Sequence, residues 1–262
     1  MKIIKKIAIA LLLIGVSISC FYFLWLSPRY TVPILAYHDF NHRGGIAITP
    51  ENFERQMHYL KENGYNAISL DKLVEGIRKR ENFVHNTVVI TMDDGYKDNF
   101  TYAYPVLKKY GFPAMIFLIA NKIGADENFL NWDETKEMHK NNISFGGHTK
   151  NHVSLSTIKE KDTLWDEISG CKEIIESHIG KRIDYFCYPF GSFTEEVKKL
   201  VRQAGYKGAC ATNLGHDKLN RADVYELNRV SLRNRDNSFS LWAKLSGYYN
   251  LFRRRKGVEY NE

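Results

Sequence analysis

The sequence predicts an α/β protein. Seven or eight strand–helix units build a parallel sheet, either closed into a barrel or left open with helices on both faces. Three observations carry this. Short apolar runs rich in β-branched residues, such as Thr87–Met92 (TVVITM), read as strands covered on both faces. Amphipathic segments with cap residues separate them, so strand and helix alternate without a long linker. The 262 residues, 44% hydrophobic and 26% charged, have ordinary globular composition and suffice for one large α/β domain.

Residues 32–37 (VPILAY) read as a buried strand. Thr49 is an N-cap and Pro50 the first residue of a helix with apolar face Phe53, Met57 and Leu60, ended by Asn63-Gly64. Residues 67–70 form a short strand and 71–80 an amphipathic helix. After the strand Thr87–Met92, residues 99–110 form a helix stopped at Gly111, and 114–120 another buried strand. A helix over 132–140 and a short strand over 143–145 follow. Residues 160–179 read as one long helix whose inner face is Leu164, Ile168, Cys171, Ile175 and Ile179. Residues 185–188 are a strand. Ser192-Phe193-Thr194-Glu195 has the capping-box pattern and opens a helix to Ala204, stopped by Gly205. Gly208–Thr212 and Leu227–Ser231 are further strands, and Ser238–Leu245 a final helix.

The N-terminus is a membrane signal. Residues 7–26 are an uncharged run of 20 residues, at about 1.5 Å rise per residue enough for the roughly 30 Å hydrocarbon core. Lys2, Lys5 and Lys6 precede it, which keeps the N-terminus in the cytoplasm and exports the body. Three readings stand: an uncleaved anchor, favoured by the length and the lack of an A-x-A-like end; a cleaved signal peptide; and a lipoprotein acylated at Cys20. All three place residues 30–262 outside the cytoplasmic membrane. The net charge is +7, but the N-terminal lysines hold +3 and residues 250–262 hold +2, from Arg253, Arg254, Arg255 and Lys256 against Glu259 and Glu262. The 223 residues between carry only +2, which argues against a nucleic-acid partner. Four cysteines are too few for a disulfide framework.

In (β/α) architectures the chemistry sits at the carboxyl ends of the strands. Just past successive strands stand His38, then Asp93-Asp94-Gly95, then His148-Thr149-Lys150-Asn151-His152, then Pro189-Phe190-Gly191. Two adjacent carboxylates at a buried strand end are costly unless compensated. A metal would hold one and leave the other as a base; an Asx turn capping the next helix is the bland alternative. His148 and His152 are four apart, a spacing that chelates jointly from one face of a helix or from a loop, and that two surface histidines also show. Gly146-Gly147 before them permits a tight backbone approach. One Asp and two His leave coordination positions open for water, as a hydrolytic metal requires. His38, taken alone, is as readily structural as catalytic. Tyr188-Pro189-Phe190-Gly191 is either a rigid turn or a substrate wall with the Phe190 N–H aimed at an oxyanion. His42, His85, His139, His178 and His216 lack such settings and read as surface or packing residues, although His216 also follows a strand.

These motifs, Thr91-Met92-Asp93-Asp94-Gly95, then His148-x-x-x-His152, then Phe186-Cys187-Tyr188-Pro189-Phe190-Gly191, resemble those of the polysaccharide deacetylases, the family 4 carbohydrate esterases. Order and spacing agree over roughly residues 33–233. The opening Val32-Pro33-Ile34-Leu35-Ala36-Tyr37-His38 and the late Leu227-Asn228-Arg229-Val230 resemble the subgroup that deacetylates poly-β-1,6-linked N-acetylglucosamine. The resemblance implies a distorted (β/α)7 barrel. It implies that Asp94, His148 and His152 hold one divalent ion, Zn2+ before Co2+ or Ni2+, which acidifies a water and polarises the acetyl carbonyl. Asp93 is then the base and, as in that subgroup with its acid histidine near the start, His38 the acid. Tyr188, Pro189 and Phe190 form the oxyanion and substrate wall, with Tyr188, Phe190 and Trp132 as stacking surfaces for sugars. The sequence departs from the family pattern at Met92, where Phe is usual, and at Asp184, where an Arg contacting the base is often found; Arg182 lies two residues earlier. Cys187 and Cys210, in successive strands, are placed to pair and leave Cys171 free. The expected organisation is an anchor over 1–29, a catalytic domain over 30–249 and a basic tail over 250–262. The implied substrate is an N-acetylated cell-surface polysaccharide, with peptidoglycan or another N-acyl substrate, or a non-catalytic sugar-binding relic, as rivals.

Overall fold

The computed structural model describes residues 2–27, 30–40, 47–212 and 223–249. Its strands are β1 (Ile34–Tyr37), β2 (Asn66–Ala67), β3 (Thr87–Met92), β4 (Ala114–Leu118), β5 (Ile143–Gly147), β6 (Tyr185–Cys187), β7 (Gly208–Thr212) and β8 (Leu227–Ser231). All pair in parallel. From β3 the sheet runs through β4, β5, β6, β7 and β8 to β1, and β1 pairs back onto β3. Among the described residues seven strands therefore close a ring, and β2 hangs on β3 outside it. Of the two sheets the sequence allowed, the closed one forms: a distorted (β/α)7 barrel.

Strand alternation sorts side chains to the two faces of the ring. Leu35, Tyr37, Val88, Ile90 and Met92 belong to the large core between barrel and helices. Ile34, Val89, Phe117, Tyr185, Cys187 and Leu227 belong to a second, inner core. Helix α1 (Lys2–Cys20) continues in wider turns, so that Ile3–Leu26 is long and apolar enough to cross a membrane. Helix α2 (Pro50–Glu62) is capped by Thr49, whose Oγ1 accepts the Asn52 N–H, with Pro50 in its first turn. Helix α3 (Leu70–Lys79) sends Leu70, Leu73 and Val74 into the inner core and so stops the amino end of the barrel. Helices α4 (Tyr104–Tyr110), α5 (Trp132–His139), α6 (Lys161–Trp165), α7 (Cys171–Ile179), α8 (Glu195–Gln203) and α9 (Ser238–Leu245) complete the fold.

Several sequence expectations change. Residues 67–70 are not one strand: Ser69 Oγ accepts the Lys72 N–H, so Leu70 already opens α3. The helix over 160–179 is interrupted by a π-type turn, Asp166–Gly170. The cap of α8 is Thr194, which accepts the Val197 N–H; Ser192 pairs with Ser156 instead. Cys187 and Cys210 are register neighbours but unbonded. The Cys187 sulfur instead accepts from Arg229 Nη2 at 3.0 Å. His42, His216 and the basic tail lie outside the described residues.

Candidate active site and metal centre

The carboxyl mouth of the barrel gathers the predicted polar residues. β1 ends at Tyr37, whose carbonyl accepts the Asp93 N–H (3.0 Å), so His38 and Asp93 leave adjacent strands side by side. His38 Nε2 stands 3.4 Å from Asp93 Oδ2. The chain turns at once: Asp94 takes φ 71° and Gly95 φ 79°, and the Gly95 N–H donates to Asp93 O. That left-handed step sends the two carboxylates in different directions. Asp93 points into the barrel, whereas Asp94 points to the histidines.

His148 directly follows β5, and His152 stands in a loop, not a helix. Thr149 and His152 both have positive φ, 63° and 56°, and the Thr149 Oγ1 accepts the His152 N–H. Strain of this kind persists only where surrounding contacts fix it. Glu167 supplies one set of contacts, accepting the backbone N–H groups of Lys150 and Asn151 at 2.9 and 3.1 Å. Gly146 and Gly147 admit no side chain. A Cβ at Gly146 would lie 2.7 Å from Phe117 and from the Tyr185 carbonyl, and one at Gly147 2.5 Å from the Tyr206 hydroxyl. The loop leaves Asp94 Oδ1 3.5 Å from His148 Nε2 and 3.3 Å from His152 Nε2.

His148 Nδ1 lies 2.8 Å from the Cys187 carbonyl, which only accepts, so that nitrogen carries the proton and Nε2 presents a lone pair. Burial pushes the His148 pKa down to about 3 and lowers those of His152 and His38, so all three imidazoles are held neutral. Asp94 Oδ1 is buried without a hydrogen-bond partner, and burial together with the Asp93 charge raises the carboxyl to about 7. One carboxylate and two neutral imidazoles, their ligand atoms within 4.8 Å of one another, fit a divalent cation. A second group, Asp93, His148 and Cys187, also satisfies that spacing.

Asp93 is paired with a residue the motif reading assigned no role. Arg229 Nη1 and Nη2 each lie 2.6 Å from one Asp93 oxygen, both side chains buried. Burial alone would raise the Asp93 carboxyl, but the Arg229 charge and hydrogen bonds, with His38 and His148 beside it, hold it well below the usual carboxylate range. Arg229 also donates to Thr91 Oγ1 (3.1 Å). The signal was available: in Leu227–Ser231 an arginine shares the inward face with Leu227, and such a cation needs a buried anion. Neither Asp184 nor Arg182 reaches the base; they pair with each other at 3.2 Å near the start of β6.

At the third motif the reading is corrected in part. Tyr188 is fully buried, stacked on Phe193 at 4.3 Å with its hydroxyl on the Tyr225 carbonyl, so its ring is core and cannot stack on a sugar. Trp132 lies flat on His178 of α7 (4.0 Å) and is taken up by helix packing. Pro189 is buried. Phe190 remains at the mouth, 68% exposed, with φ 59° and its ring 4.7 Å from that of His152. The turn uses the N–H groups of Gly191 and Ser192, not that of Phe190.

The chain is thus a closed parallel α/β barrel with Asp-Asp and His-x-x-x-His at its carboxyl mouth, a cluster that could hold a metal ion. The polysaccharide deacetylase profile matches residues 80–209. YxkH of Bacillus subtilis (strain 168), named for the polysaccharide deacetylases, is 31% identical over 199 residues, 76% of this chain and 70% of that protein. The poly-β-1,6-N-acetyl-D-glucosamine N-deacetylase of Staphylococcus aureus (strain MSSA476) is 28% identical over 174 residues, 62% of this chain and 59% of that one. The Streptococcus pyogenes deacetylase PplD, solved with acetate, superposes with a TM-score of 0.76 at 24% identity, covering 82% of this chain and 97% of that one, and so shares the fold. The chain belongs to the polysaccharide deacetylase family.

Proposed function

We propose that this protein removes N-acetyl groups from N-acetylglucosamine residues of an extracellular or cell-wall polysaccharide, by metal-assisted amide hydrolysis. The observation that carries the reading is the Asp94–His148–His152 donor set, with an orphaned buried Asp94 oxygen, standing beside the ionised Asp93. Those three residues hold a divalent ion, Zn2+ before Co2+ or Ni2+, which when bound supplies Lewis acidity to water and to the acetyl carbonyl. Asp93, kept ionised and oriented by Arg229, takes the proton of the attacking water. The Phe190 N–H faces the developing oxyanion. His38, neutral and half-buried 3.4 Å from Asp93, receives a proton and delivers it to the departing amine. The exposed Phe190 ring packs against the sugar.

The similarity to the Staphylococcus aureus enzyme and the opening strand favour a β-1,6-linked polymer over peptidoglycan. The run Ile3–Leu26 supports a single-pass anchor with residues 30–249 as an exported catalytic domain and 250–262 as a basic tail. The test is acetate release by the purified full chain from a panel of N-acetylated glycans, with and without chelator. Release from poly-β-1,6-N-acetylglucosamine, abolished by chelation and restored by Zn2+, is expected. Release from peptidoglycan alone would move the substrate, and no release from any glycan by metal-loaded protein would overturn the reading.

A further inference from the structure

We infer that the amino end of the barrel is a docking face for an anionic lipid surface, so that the catalytic mouth points away from the bilayer; this rests on reading the N-terminal helix as a membrane anchor. The first observation is where the chain enters the domain. Only residues 27–29 separate Leu26, the end of the apolar run, from Tyr30, and the Tyr30 N–H donates to Ser27 O at 3.1 Å. Even fully extended, the step from Leu26 to Tyr30 covers only about 14 Å. Tyr30 is fixed to the amino end: its ring stacks on His85 at 4.4 Å, and its hydroxyl reaches the carbonyls of Val84 and Thr87, the first residue of β3. The next residue, Thr31, donates its N–H to Gly247 O just after α9. The lipid surface is thus tied to this end of the barrel.

The second observation is the charge of that end. Helix α3 crosses it, since the Tyr185 hydroxyl at the start of β6 donates to Asp71 and Arg78 donates to the Lys207 carbonyl just before β7. The outer side of α3 carries Lys72, Arg78, Lys79 and Arg80. Beside it a hollow of about 290 Å³ is rimmed by Lys181, Arg182 and Lys207. These seven cations face four carboxylates, Asp71, Glu75, Glu81 and Asp184. Asp184 pairs with Arg182 and Lys207, Glu75 with Lys79, and Asp71 accepts from Tyr185, which leaves Lys72, Arg78, Arg80 and Lys181 outside these ion pairs. An excess of exposed cations beside a membrane entry point is complementary to anionic headgroups. The six residues of β3, about 20 Å long, separate this end from Asp93. The site would therefore work on polymer held about that far from the headgroups.

The experiment places a donor dye at Lys79→Cys, on α3, or at Lys122→Cys, on the mouth side beyond β4. Each is made in the full chain carrying Cys20→Ser, because the remaining cysteines are buried. The protein is reconstituted into phosphatidylcholine vesicles with or without phosphatidylglycerol, and energy transfer to a headgroup acceptor is read. Stronger transfer from the α3 dye, enhanced by phosphatidylglycerol and losing that enhancement in Lys72→Glu/Arg80→Glu/Lys181→Glu, is expected. Equal or stronger transfer from the mouth dye, or a charge reversal without effect, in protein that floats with the vesicles overturns this inference alone. Protein that fails to float overturns the anchor reading and this inference with it.

Discussion

Arg229 and Asp93 are locked together inside the barrel, each guanidinium Nη 2.6 Å from one carboxylate oxygen and both residues buried. The pair spans the ring from β8 to the end of β3 and fixes the orientation of the proposed base.

Removing one partner leaves an uncompensated buried charge. Arg229→Met is expected to lower stability by about 3–5 kcal/mol. The double variant Asp93→Asn/Arg229→Met should recover most of that loss while acetate release stays down by about 10²–10⁴-fold, the usual cost of a lost general base. Denaturant midpoints and turnover on the same preparations check both.

His148 gives a pH dependence with a definite sign. Its folded pKa, about 3, lies below the ordinary value of about 6.5 because the ring is buried. Between these values the unfolded chain binds a proton that the folded chain refuses, so this stability contribution rises with pH from about 3 to about 6.5 and is lost on acidification. In chelated protein, His148→Asn should make the melting temperature less steeply dependent on pH across that window. An unchanged slope would contradict the burial argument.

The element pattern was readable because most strands are apolar runs bounded by turn residues; Thr87–Met92, Gly208–Thr212, Leu227–Ser231 and Ser238–Leu245 stand where the sequence puts them. Closure of the ring was not readable from the apolar runs, only from the motif resemblance, since it depends on β1 pairing with both β3 and β8, a relation between distant residues. Asp93, Asp94, His148 and His152 announce themselves by motif spacing. Arg229 and Glu167 do not, because each acts by charge on a segment far away in the chain. Tyr188 misled because its neighbour Phe190, in the same aromatic turn, is exposed while Tyr188 is buried: a positive φ at Phe190 reverses the chain between them.

His38 should behave as an acid, not as a structural prop. His38→Ala is expected to keep bound metal and to lose amide turnover by about 10²-fold or more, while sparing an activated phenolic acetate whose leaving group needs no proton. Equal losses on both substrates would assign His38 to packing.

The glycines before His148 set the height of the metal-binding loop. Gly146→Ala would bring a methyl 2.7 Å from the Tyr185 carbonyl, a backbone atom that cannot swing away. A loss of about 1–3 kcal/mol is expected, with weakened metal affinity because β5 must shift. Thermal melts and metal titration read the two effects.

The central claim is that Asp94, His148 and His152 hold the catalytic metal, and anomalous diffraction from zinc-loaded crystals tests it most directly. The account predicts one strong peak at about 2.0–2.2 Å from Asp94 Oδ1, His148 Nε2 and His152 Nε2. A peak bonded to Asp93 and the Cys187 sulfur instead, or none at the mouth in protein that releases acetate, would contradict it.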